Sequence, residues 1–84
     1  MKVLFSFEIS KPQDIKNTLI STRKNIIDSG GIFFGNEEAG RFSGRGVEGI
    51  YHVGDSSIKI SITKKPAIFP TSAVKSAIED YFRE

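Results

Sequence analysis

Eighty-four residues suffice for one small domain and leave little room for a second. The chain has no cysteine and a single histidine, His52, which excludes a disulfide framework, thiolate metal centres, a cysteine nucleophile and any two-histidine metal site. Twelve Lys/Arg against ten Asp/Glu give a net charge of +2, without the clustered basic stripe of a nucleic-acid binder.

Residues 2–9 alternate, with Val3, Phe5, Phe7 and Ile9 on one face and Lys2, Leu4, Ser6 and Glu8 on the other. Period two with aromatic and β-branched residues predicts a strand covered on one side. The apolar stretch that opens the chain is too short for a signal peptide, and no run approaches the ~20 apolar residues of a membrane span. The expectation is a soluble cytoplasmic domain spanning 1–84.

Ser10 followed by Gln13 fits a capping box, and Pro12 suits a first helical turn. Ile15, Leu19, Ile20, Ile26 and Ile27 then recur at helical spacing. The helix, roughly 17 residues or ~25 Å long, is expected to stop at Asp28-Ser29-Gly30-Gly31, where glycine takes the left-handed terminal conformation.

All eight glycines lie between Gly30 and Gly54. Ile32-Phe33-Phe34 is a short apolar strand, residues 35–40 a turn, and Arg41-Phe42-Ser43 starts a returning strand. Gly44-Arg45-Gly46 interrupts it as a bulge or sharp bend, with Gly44 or Gly46 expected at positive φ. Val47–Val53 resumes the strand, with Val47, Gly49, Tyr51 and Val53 on one face. Gly49 marks a close approach, such as a helix backbone. After a hairpin turn at 54–57, Ile58, Ile60 and Ile62 alternate with Lys59, Ser61 and Thr63. Pro66 ends that strand. Thr71 or Ser72 caps a last helix carrying Val74, Ala77, Ile78, Tyr81 and Phe82 at apolar spacing.

The order β-α-β-β-β-α predicts an α+β fold, a four-stranded largely antiparallel sheet with two helices packed on one face. The expected core is Val3, Phe5, Phe7, Ile15, Leu19, Ile26, Tyr51, Val53, Ile58, Ile60, Ile62, Val74, Ile78 and Phe82. The opposite face stays open, with Glu8, His52, Lys59, Ser61 and Thr63 around an apolar component of Leu4, Phe33 and Ile50.

The segment Gly40-Arg41-Phe42-Ser43-Gly44-Arg45-Gly46-Val47-Glu48-Gly49, then Val53-Gly54-Asp55, an alternating strand and an amphipathic helix resembles the small bacterial polyhydroxyalkanoic acid system family over residues 40–84. The resemblance implies an α+β fold and a non-enzymatic association with storage-polymer metabolism, and no catalytic residues.

No residue pattern demands catalysis, a metal or a cofactor. His52 lacks a nucleophile or acid fixed beside it by sequence. Glu37, Glu38, Glu48 and Asp55 lack calcium-loop spacing and read as solvated charges. Gly44, Gly46 and Gly49 match Gly-x-Gly-x-x-Gly literally, without the strand–turn–helix context that makes it a dinucleotide site. Arg41 and Arg45 beside those glycines are candidate anion contacts. The candidate interaction face is Leu4, Phe33, Ile50, His52 and Lys59. The leading expectation is a non-catalytic binding or accessory module that meets a protein partner or self-associates weakly. The alternative is a weak nucleic-acid binder using Arg41, Arg45, Lys59, Lys64 and Lys65, with an enzyme third.

Overall fold

The computed structural model describes residues 2–82. Strand β1 (Phe5–Ser10) follows the predicted alternation, with Phe5, Phe7 and Ile9 half-buried and Ser6, Glu8 and Ser10 exposed. Val3, expected in the core, lies outside the strand and is 46% exposed. Helix α1 runs Ile15–Asp28 and begins later than the capping box placed it. Ser10 is still paired with Ser57 in the sheet and is not free to cap. Asp14 takes the role instead, its carboxylate accepting from the Asn17 backbone N–H at 3.2 Å and from the Asn17 side-chain amide at 2.6 Å. At the other end Gly30 has φ +88°. The N–H groups of Gly30 and Gly31 donate to the carbonyls of Ile27 and Ile26, closing a Schellman motif.

The described residues form five strands, not the four expected from the sequence. Between β2 (Ile32–Gly35) and β4 (Val47–Val53) lies a separate strand β3 (Ala39–Gly44), and β5 (Ser57–Lys64) completes the set. The segment Gly44-Arg45-Gly46-Val47 is a two-residue hairpin turn rather than an interruption within one strand. Gly44 pairs with Val47, and Arg45 (φ 52°) and Gly46 (φ +82°) both lie in the left-handed region, as a type I′ turn requires. A bulge does occur nearby, at Glu48/Gly49 in the β4–β5 pairing.

The sheet order is β1-β5-β4-β3-β2, with every neighbouring pair antiparallel. Helix α2 (Thr71–Tyr81) is preceded by Pro70 as N-cap, with no side-chain cap from Thr71 or Ser72. The Pro70 carbonyl accepts from the N–H groups of Ala73 and Val74. Both helices supply the single core, in which Leu19, Ile26, Val74, Ile78 and Phe82 meet Phe33, Phe42, Tyr51, Ile58, Ile60 and Ile62. Phe5, Phe7, Ile15 and Val53, expected in that core, pack against it only partly buried. Ile20 and Ile27, at helical spacing in the sequence, are exposed on α1.

The two helices are tied by Thr22, whose buried hydroxyl donates to the Tyr81 carbonyl at 2.6 Å while lying 2.8 Å from the Thr18 carbonyl. Tyr51 sits at the centre of the core. Its ring stacks on Phe33 at 5.6 Å and meets Phe82 edge-on at 5.7 Å. Gly40 leaves room for that ring, since a Cβ there would lie 2.5 Å from Tyr51 Cε1. Gly49 is covered by the Phe42 ring rather than by a helix backbone, with Phe42 Cζ 2.8 Å from where its Cβ would stand.

Candidate interaction face

The antiparallel register decides which side chains reach the open face. One cross-strand row runs Phe34, Arg41, Ile50, Ser61, Ser6, and a second runs Ala39, His52, Lys59, Glu8. Ile32, Ser43 and Glu48 begin a third. Ile50, His52 and Lys59 therefore stand on the open face as the sequence predicts, and Leu4, just before β1, is exposed. Phe33 does not. It pairs with Phe42 and is 7% exposed, on the helix side. Its neighbours Ile32 and Phe34 take the outer positions, 55% and 61% exposed. Three consecutive apolar residues give no alternation from which to read a face. Only the pairing with Phe42 settles it.

Around Phe34 the surface is mixed. The Arg41 guanidinium lies over the Phe34 ring at 5.8 Å, a cation–π geometry. Ile32, Phe34, Ile50 and the edge of Gly49 line a shallow depression bordered by Arg41, Glu48 and Thr63. At its far side Lys64 Nζ stands 3.7 Å from Glu48 Oε2, and on the β1 side the Ser57 hydroxyl donates to Glu8 at 2.7 Å. His52 is exposed, and its imidazole makes no hydrogen bond or ion pair among the described residues. The same residues bring no three His, Cys, Asp or Glu side chains together.

Arg41 and Arg45 do not converge on one anion. Arg41 is on the open face, whereas Arg45, at the tip of the β3–β4 hairpin, borders a cleft on the helix side. That cleft, about 270 Å³, lies between α2, the end of α1 and the hairpin, and the sequence reading did not include it. The signal was present in Ala73 and Ala77, small residues one helical turn apart.

Edge strand β2 adds the second feature of this face. Its four residues, Ile32-Phe33-Phe34-Gly35, pair only with β3. The strand carries no charge and no proline, the devices that usually blunt an exposed edge. The Asn36 N–H donates to the Ala39 carbonyl, so by the alternation of antiparallel pairs Phe33 and Gly35 turn their backbone N–H and C=O groups away from β3. Among the described residues no helix is long and apolar enough to cross a membrane. Compared with family models, curated proteins and solved structures, the chain matches none.

Proposed function

We propose that the chain is a small non-catalytic binding module whose open face and β2 edge dock onto a second copy of itself. The observation that carries this reading is the pair Ile32 and Phe34, both more than half exposed on an edge strand without charge or proline. An antiparallel β2–β2 pairing about a two-fold axis centred on Phe33 sets Ile32 of one copy beside Phe34 of the other. The apolar stripe is thereby doubled and the unpaired edge groups are satisfied. Arg41 and Glu48 border the same stripe, giving each copy both signs of charge to offer across the axis. The link to storage-polymer metabolism rests on the resemblance of residues 40–84 alone.

Sedimentation velocity over a concentration series tests the reading. Self-association is expected for the natural chain and its loss for Phe34→Glu, with thermal melting unchanged because Phe34 is outside the core. A strict monomer at high concentration overturns the proposal. So does binding to an added oligonucleotide that falls steeply with salt, the mark of phosphate contacts through Arg41 and Lys59.

A further inference from the structure

On the opposite side of the sheet from the docking face, the cleft beside α2 is walled by Ile26, Phe42, Val47, Val74 and Ile78, with Ala77 leaving it open. One charged residue stands at its border, Arg45. The only ion pair among the described residues is Lys64–Glu48, so the Arg45 guanidinium has no carboxylate partner there. Arg45 is also the one non-glycine residue at positive φ among them. Its positive φ follows from the type I′ turn, a position that favours Asn, Asp or Gly, so the turn carries an arginine at its tip where a smaller residue would serve. An apolar cleft bordered by an exposed arginine with no carboxylate partner among the described residues suits an amphipathic ligand with one negative end.

We propose that this cleft binds a medium-chain aliphatic carboxylate, its chain between α2 and the β3–β4 hairpin and its carboxylate on Arg45. The cleft is open to solvent and about 270 Å³, which at ~30 Å³ per water-sized group matches the scale of a chain of roughly eight to ten carbons. The site shares no residue with the β2 edge that carries the docking proposal, apart from the β3 backbone between them, so either can fail alone.

Titration with sodium octanoate below its micelle concentration, followed by backbone amide NMR, tests the assignment. Saturable shifts are expected at residues 44–47 and 73–81, with octanol about tenfold weaker and octylammonium weaker still. Arg45→Asn keeps a residue the turn favours and is expected to erase the preference for octanoate over octanol while octanol still binds. Ala77→Phe fills the cleft and is expected to abolish binding of both, and Ala73→Leu is the second filling variant should the first fail to fold. Absence of saturable shifts, shifts confined to the open face, equal binding of octanoate and octylammonium, or full binding by a folded filled-cleft variant each overturn the proposal.

Discussion

Tyr51 shows how much one side chain contributes here. It is fully buried, and its hydroxyl donates to the Asn36 carbonyl at 2.8 Å, fastening β4 to the β2–β3 turn. Burial disfavours the phenolate and pushes the Tyr51 pKa up from 10.0 to about 12. In the unfolded chain the phenol loses its proton near its ordinary value, whereas in the folded chain it holds the proton to higher pH. The stability this gives is full below about pH 10 and falls as pH rises towards 12, by an amount on the order of 2–3 kcal/mol. Denaturant titrations at a series of alkaline pH values are expected to show a steeper loss for the natural chain than for Tyr51→Phe. Equal slopes would place the ionisation elsewhere. The alternation of residues 47–53 made Tyr51 legible as a core residue, because Glu48, Ile50 and His52 separate the faces. Phe33 was not legible, since Ile32-Phe33-Phe34 carries no polar residue to mark a side.

The β3–β4 hairpin was the element the sequence concealed. A bulge and a two-residue turn both shift the inward–outward alternation by one position, so parity alone does not separate them. Length does. An unbroken strand over residues 41–53 would exceed the ~10 residues that strands commonly reach, and Arg-Gly supplies the left-handed second position of a type I′ turn. The strands with strict alternation, β1 and β5, and both helices were readable from their periods. Their caps were less so, because Ser10 was already committed to a sheet pairing that no local pattern reveals. The turn makes a direct prediction. Gly46→Ala puts a Cβ at positive φ and 3.0 Å from Pro66 Cγ, and is expected to cost about 1–2 kcal/mol. Gly44→Ala meets nothing nearer than Gly31 Cα at 3.4 Å and is expected to cost less than about 1 kcal/mol. Parallel thermal melts of the two variants check the contrast, and equal losses would contradict the assigned turn.

Over the whole molecule, one face of the sheet carries the core and the other carries exposed residues. Ile60 is fully buried between its partners Phe7 and Tyr51. Ile60→Ala is expected to cost roughly 2–5 kcal/mol, a large part of a small domain's stability. Ile32→Ala, on the open face, is expected to change it by no more than about 0.5 kcal/mol. Denaturant midpoints measure both, and a loss below about 1 kcal/mol at Ile60 would mean the sheet faces are reversed. The four strands β2 to β5 are joined in sequence, each to the next, whereas β1 joins the sheet only through β5, Phe5 against Ile62. On the ribosome this order has a temporal meaning. The first of the five described strands to be made has its only partner in the last of them, so β1 stays without a sheet neighbour until β5 has been made. The β2–β4 meander, by contrast, has the pairings among its own three strands available while β5 is still inside the exit tunnel.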